Sequence, residues 1–304
     1  MKILIFGNGQ FARLFKEYFG KKGTEVVIAE SADIRNEEQV RKAILGNNPD
    51  VVINTAAQTN LDWCEQNRLE CFDTNVLGAE CVGRVCAELS KYFLHISTGC
   101  IQESLTPDQA HKEEDRPTPT SFYSWTKYWA DEMLQSLVVR KGLKLLILRP
   151  RQPVSGTASN RNALLKMLTF SKFIDTPNSI TILEDFIEVT DKMITKGATG
   201  IYNVANPGVV SPLVIARLLK EYIKPDMVIN EISKEELNKM TLATRIDSVL
   251  DCSKLEAEGI HLKPAVDRLR EILPVLKADL EKHPEALEQT NQETIAKLSL
   301  RNPG

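Results

Sequence analysis

The sequence predicts a doubly wound α/β domain, a parallel sheet of the Rossmann type covered by helices on both faces, followed by a smaller C-terminal α/β region. Three observations carry this. Short β-branched runs alternate with amphipathic stretches through the first half of the chain, the rhythm of repeated βαβ units. The runs are almost continuously apolar rather than alternating, as strands buried on both faces must be. Directly after the first run stands Gly7-Asn8-Gly9-Gln10-Phe11-Ala12, a glycine turn that opens a helix.

Taken in order, strands are expected at 2–6, 25–29, 50–54, 92–96 and 143–149, with helices at about 10–21, 36–46, 66–90 and 122–141 between them. After Arg149 the stretch PRQPVSGTASNRN is rich in Pro, Ser and Asn and reads as a loop. A second region follows, with a helix near 161–170, a strand at 179–183, a helix near 184–195, a strand at 200–204, a helix near 211–223 and a strand at 227–231. The rest reads as mostly helical, ending in a polar stretch that suits a peripheral helix or a frayed tail. The implied organisation is a dinucleotide-binding domain over 1–150, a substrate-binding region over 151–277 with chain returns to the first domain, and a helical tail over 278–304.

Composition narrows the function. The 304 residues, 42% hydrophobic, suffice for a sizeable core. Lysine and arginine total 38 against 41 acidic residues, so there is no basic footprint for nucleic acid. No apolar run reaches the ~18 residues that would argue for a membrane span, and the first residues lead into a glycine turn rather than a cleavage site. A soluble, cytoplasmic protein is expected. Six cysteines without paired CxxC spacing or a histidine cluster argue against a metal site and against a disulfide framework. Cys71, Cys81 and Cys86 fall in or beside one helical pattern and read as small core residues.

Two motifs bear on chemistry. In the first, Gly7, Asn8, Gly9, Gln10 and Phe11 shape a turn whose backbone N–H groups can approach a pyrophosphate seated on a helix N-terminus. This points to NADPH or NADH. The second strand ends at Glu30, where a carboxylate can hold the adenosine ribose 2′-hydroxyl; Asp33 is near enough to take that place instead. The second motif is Tyr123-Ser124-Trp125-Thr126-Lys127 at the head of a helix. Residues four apart share a helix face, so phenol and ammonium can enter one cleft, where the positive charge is expected to lower the tyrosine's pKa. Ser97 and Thr98 close the fourth strand nearby. Asn75 reads either as a support for the site or as a capping or packing amide.

Several stretches, NTAAQTNLDWCE (54–65), STGCI (97–101), KEEDRPTPTSFYSWTK (112–127), LRPRQPVS (148–155), TPNSITILED (176–185) and GIYNVANPGVVS (200–211), resemble the extended short-chain dehydrogenase/reductases. Within them the chain is similar to dTDP-4-dehydrorhamnose reductases and more so to UDP-4-keto-6-deoxyglucose 3,5-epimerase/4-reductases. The resemblance implies a nucleotide-sugar substrate, UDP- or dTDP-linked, and allows a homodimer. It assigns Thr98, Tyr123 and Lys127 to a catalytic triad: Tyr123 delivers a proton to the oxygen on carbon 4 of the sugar, Thr98 hydrogen-bonds that oxygen, and Lys127 holds the cofactor ribose. Cys100 matches an acid/base cysteine of the epimerase/reductases and Lys166 the lysine that partners it. Where simple reductases carry an acidic and an aromatic residue after the threonine, this chain has Gly99 and Cys100. Further cofactor contacts are implied at Ala56, Ala57, Gln58 and Asn75, and substrate contacts at Arg151, Asn178 and Arg245 besides Thr98, Cys100 and Lys166. The turn GNGQFA is one residue shorter than the GxxGxxG of most extended members.

Two alternatives to an epimerase/reductase stand beside it. One is a 4-reductase in which Cys100 is inert. The other is a non-catalytic NAD(P)-binding regulatory subunit like that of methionine adenosyltransferase, which LDCSKLEAEGI (250–260) resembles. An intact triad argues for chemistry.

Overall fold

A computed structural model describes residues 1–104, 106 and 108–299. Its main sheet holds six strands, β1 (Lys2–Phe6), β2 (Glu25–Ile28), β3 (Val51–Asn54), β4 (Tyr92–Ile96), β5 (Leu145–Pro150) and β6 (Gly200–Val204). They lie in the order β6-β5-β4-β3-β1-β2, and every neighbouring pair is parallel. The order reverses at β1, which pairs with β2 on one side and β3 on the other. The carboxyl ends of β1 and β3 therefore frame the crevice in which such sheets bind ligands.

The unbroken apolar runs have a direct cause. Ile3 and Ile5 of β1 join Phe15, Phe19, Phe186 and Met193 on one face, while Leu4 and Phe6 join Ile44, Val82 and Leu134 on the other. Each strand residue thus meets a helix whichever way it points. Cys81 and Cys86 belong to the second of these layers and Cys71 is also fully buried, so all three pack as small core residues. The helix Leu183–Lys196 covers the first layer, and it carries the chain from the second region back to β6. A separate core of Leu164, Ile180, Leu213, Leu269 and Leu273 organises the second region.

Three expectations are corrected or refined, and one strand is unforeseen. The helix expected over 66–90 is broken into Leu61–Gln66, Arg68–Phe72, a π-helical turn Asp73–Gly78 and Ala79–Glu88. The strand expected at 227–231 shrinks to Asn230–Glu231, because the Met227 backbone is engaged elsewhere, its N–H donating to the Lys224 carbonyl at 3.0 Å and its carbonyl accepting from Lys220 Nζ at 2.9 Å. An unforeseen strand, Asn206–Val210, runs antiparallel to Asn178–Ile182 with a register shift; its Pro207 and Gly208 are residues that ordinarily argue against a strand. The helix expected at 161–170 is confined to Ala163–Met167, with Asn162 as its N-cap. Of the two forms considered for the tail, the helix is found, spanning Glu285–Ser299. Its Ala286 and Thr290 are buried, and Asn160 donates to Glu293 at 2.7 Å. Among the described residues no helix is long and apolar enough to cross a membrane.

Candidate active site

The glycine turn lies in the crevice between β1 and β3. Gly7 has φ +97°, and a Cβ there would stand 2.7 Å from the Ala56 nitrogen and from Thr55 Oγ1. Only glycine fits this conformation and this close approach. A cavity of about 220 Å³ opens beside it, lined among others by Gly7, Asn8, Glu30, Asp33, Ala56 and Gln58. Gln10 Nε2 is buried without an acceptor, so the turn holds both a cradle that a side chain would fill and an orphaned donor. Both features fit a dinucleotide phosphate. Glu30 receives the Asn8 amide at 3.4 Å, while Asp33 accepts from Arg35 Nη2 at 2.8 Å, and that guanidinium holds its carboxyl below the usual range.

Asn75 is a fully partnered buried amide. Its Oδ1 accepts from the Gln58 N–H at 2.7 Å, and its Nδ2 donates to the Gln58 carbonyl at 3.0 Å and to Thr126 Oγ1 at 2.9 Å. The amide is a packing group that clamps the β3 loop, and with it one wall of the cavity, to the helix Phe122–Lys141. It sits in the π-helical turn, the kind of irregularity that often marks functional sites.

Thr98 follows β4 by two residues, and Tyr123 stands at the head of that helix, which Ser121 caps through the Ser124 N–H at 3.2 Å. The Thr98 oxygen accepts from the Cys100 N–H at 3.1 Å, and the threonine hydroxyl is close enough to the Tyr123 phenol to favour its ionised form. Here an expectation is corrected: the phenol's pKa is raised, first by burial and then by the neighbouring Cys100. Lys127 does not oppose this, because its amine turns down to the sheet, 3.0 Å from His95 Nε2 and donating to the Ile96 carbonyl at 2.8 Å. Burial lowers Lys127 to about 8 and pushes His95 well below its ordinary value.

The hydrogen-bond polarity around Lys127 can be followed from a fixed point. The Ala56 N–H donates to Asn54 Oδ1 at 3.1 Å, which turns the Asn54 Nδ2 toward His95 Nδ1 at 3.3 Å. Nδ1 then accepts, so the ring proton lies on Nε2, facing Lys127; this tautomer is assigned from the network. Every group is satisfied when Lys127 is an amine, the form that prevails above about pH 8.

On the other side of Thr98, Cys100 Sγ receives the Arg151 Nη1 donor at 2.8 Å. Arg151 is only 5% exposed. Its Nη2 donates to Asn178 Oδ1 at 2.6 Å and to the Ile246 carbonyl at 2.7 Å, and its Nε has no acceptor. Asn178 is itself buried and donates to Asp247 at 2.8 Å, so it stands behind Arg151. Lys166 is half-buried on the short helix Ala163–Met167. Arg245 binds both oxygens of Asp62 at 3.1 Å. Ala57 lies half-buried between Ala56 and Gln58.

Sequence reading missed His95, whose place inside an apolar strand hid it, and Arg35, which becomes notable only once the Asp33 pairing is seen. A buried pair behind the site was also missed: Arg149 binds Asp131 Oδ2 at 2.9 Å, and Ser97 donates to the same oxygen at 2.9 Å.

A parallel sheet with a glycine turn at its switch point, and a threonine, a tyrosine and a lysine gathered beyond the neighbouring strand, defines an NAD(P)H-dependent oxidoreductase of the short-chain dehydrogenase/reductase class. Within that class the chain belongs to the RmlD substrate binding domain family, which it matches over residues 1–277. It is 34% identical over 241 residues to the bifunctional dTDP-4-dehydrorhamnose 3,5-epimerase/dTDP-4-dehydrorhamnose reductase of Arabidopsis thaliana, covering 75% of this chain and 77% of that one. It is 33% identical over 292 residues to a trifunctional UDP-glucose 4,6-dehydratase/UDP-4-keto-6-deoxy-D-glucose 3,5-epimerase/UDP-4-keto-L-rhamnose-reductase of the same plant, covering 88% of this chain but 41% of that longer protein. The crystal structure of the UDP-rhamnose synthase of Acanthamoeba polyphaga mimivirus superposes with a TM-score of 0.82 at 27% identity, covering 90% of this chain and 99% of that one.

Proposed function

We propose that this protein inverts carbons 3 and 5 of a nucleotide-linked 4-keto-6-deoxyglucose, UDP-linked in preference to dTDP-linked, and then reduces carbon 4 to give a nucleotide-β-L-rhamnose. The observation that carries the reading is a cysteine sulfur backed by a buried guanidinium on the loop that also presents Thr98. The family relatives with both activities support it.

Carbons 3 and 5 flank the ketone, so hydrogen bonds from Thr98 and Tyr123 to its oxygen acidify their protons. Cys100 and Lys166 exchange those protons, one group removing from one face and the other returning to the opposite face. Reduction needs a proton on the same oxygen. Burial keeps that proton on Tyr123 until charge builds on the ketone oxygen. When bound, the dihydronicotinamide supplies the hydride. Ala56, Gln58 and the glycine turn hold the dinucleotide, and Lys127, whose amine is turned to His95 and Ile96, reaches the cofactor ribose only by swinging away from them.

The test is to incubate the protein with UDP-4-keto-6-deoxyglucose and NADPH in deuterated water, following nicotinamide absorbance and the proton NMR of the sugar. Deuterium at carbons 3 and 5 together with cofactor oxidation is the expected result. Oxidation without exchange would leave a 4-reductase, and neither signal, with the dTDP sugar and NADH also tried, would overturn the enzyme reading.

A further inference from the structure

The glycine turn has a second wall, which comes from the second region. The segment 155–162 is braced from three sides. Ser155 Oγ and the Gly156 N–H both donate to Glu184 Oε1 at 2.8 Å, and the Ala158 N–H donates to Asp279 at 2.7 Å. Asn162, fully buried, donates to the carbonyls of Ser155 at 2.7 Å and Thr157 at 2.9 Å and caps the helix that follows. This bracket carries Arg161, whose Nη1 lies 3.9 Å from the position a Cβ on Gly9 would take.

Gly9 is the N-cap of the helix Gln10–Lys21; no side chain caps it and no acidic residue stands in its first turn. The positive pole of that helix is therefore uncompensated. A guanidinium faces it from across the cleft, and the buried Gln10 Nε2 beside it lacks an acceptor. Like partial charges collected in one place, with donors left over, call for an anion between them.

We propose that Arg161 is the second jaw of the cofactor's diphosphate site, binding the phosphates from the side opposite the glycine turn. GNGQFA is a short turn and presents few backbone N–H groups; the planar fork of an arginine supplies the missing donors in a geometry suited to phosphate. The clasp joins the two regions through the ligand, and it does so through the segment that leads directly into the Lys166 helix. The assignment is independent of which sugar reaction the site runs.

The experiment is calorimetric titration of the full chain with NADPH, NADH and ADP-ribose, which retains the diphosphate but has no nicotinamide, for the wild type, Arg161→Met and Arg161→Lys. Arg161→Met should weaken all three ligands by a similar factor of about 10 to 100, the worth of a hydrogen bond to a charged group. Arg161→Lys should recover part of that loss. Because Arg161 is exposed, the melting temperature without ligand should not move. Unchanged affinities in Arg161→Met would overturn the proposal. A loss confined to NADPH would also overturn it, assigning the arginine to the ribose phosphate, and equal losses in both variants with a lowered melting temperature would mean that only the bracket had been damaged.

Discussion

Lys127 is held from beneath by neutral groups of the main sheet, the His95 ring, the Asn54 amide behind it and the Ile96 carbonyl, and Tyr123 is buried beside Cys64 and Cys71. Cys100, beside Tyr123 in space, is held from the side by a cation: Arg151, which takes its own acceptors, Asn178 and Ile246, from the second region. The difference matches what each side is asked to do in the proposed reaction. A phenol that must keep its proton until the ketone polarises is served by burial among neutral groups. A sulfur that takes protons from carbon is served by a fixed positive neighbour. The two sides still touch, since Tyr123 and Cys100 pack in one small cluster with Cys64 and Cys71; what separates them is the charge around each, and that is the independence to be tested.

Tyr123→Phe should test that independence most severely. Reduction should fall about 10²- to 10⁴-fold, the usual worth of a positioned proton donor. Deuterium exchange at carbons 3 and 5 should persist, because Thr98 still polarises the oxygen and Cys100 keeps its arginine. Single-turnover cofactor oxidation and NMR of the same sample give both rates. Equal losses in the two would show one catalytic unit rather than two sides.

Arg151→Met is the mirror experiment. Exchange should drop about 10- to 100-fold, while reduction of a substrate already inverted at carbons 3 and 5 should stay within a few-fold. The variant also strips a donor from buried Asn178 and Ile246, costing about 1–3 kcal/mol of stability. Arg151→Lys, which keeps the charge but not the fork, should restore part of the exchange. The rate of iodoacetamide alkylation of Cys100 at a single pH separates the roles, since loss of the Nη1 donor to the sulfur should change it in Arg151→Met and Arg151→Lys should recover part of the change.

The sequence made the first side readable and left most of the second hidden. Strands buried on both faces announce themselves as apolar runs, and a glycine forced to positive φ against Ala56 is visible as a motif before any coordinates exist. Thr98, Tyr123 and Cys100 fall on short local motifs, so their nearness follows from where a strand ends and a helix begins. Arg151 is different. It meets Asn178 and Ile246 across separations of 27 and 95 residues, pairings that no local pattern encodes. His95 was concealed by its surroundings, since one histidine inside YFLHI looks like a tolerated core residue until Asn54 and Lys127 are seen to meet it. The tyrosine's pKa was misjudged for a related reason. Helical spacing fixes which face Lys127 occupies, but the long stem is free to carry its amine to the sheet instead of the phenol.

A smaller effect, on stability alone, tests the neutral side. Lys127 has a folded pKa of about 8 against the ordinary 10.5, so between those values the unfolded chain binds more protons than the folded one. Stability from this group therefore rises with pH through the window and is lost as pH falls toward 8. Comparing urea midpoints at about pH 7.5 and 9.5 should show a gain of about 2 kcal/mol attributable to it, and Lys127→Met should remove that gain. His95 acts in the same sense lower down: held neutral by burial, it withdraws stability as pH falls below its ordinary value of 6.5. A pH slope unchanged by Lys127→Met would mean that the lysine keeps its charge when buried and that His95 carries the other tautomer.

The smallest expected change lies at the far end of the cofactor crevice. Arg35 is engaged by Asp33, and an arginine at this position can accept a 2′-phosphate once it is released. Asp33→Asn weakens that ion pair, so NADPH should gain on NADH by about 3- to 10-fold in dissociation constant, a modest factor because the pair is half-exposed and already screened. Exchange at carbons 3 and 5 should be untouched with cofactor at saturation, since removing a proton beside a ketone requires no hydride. If exchange moved together with cofactor preference, the crevice and the cysteine side would be coupled through the sheet, and the division between a neutral side and a charged side would have to give way to one network reaching from Asn54 to Arg151.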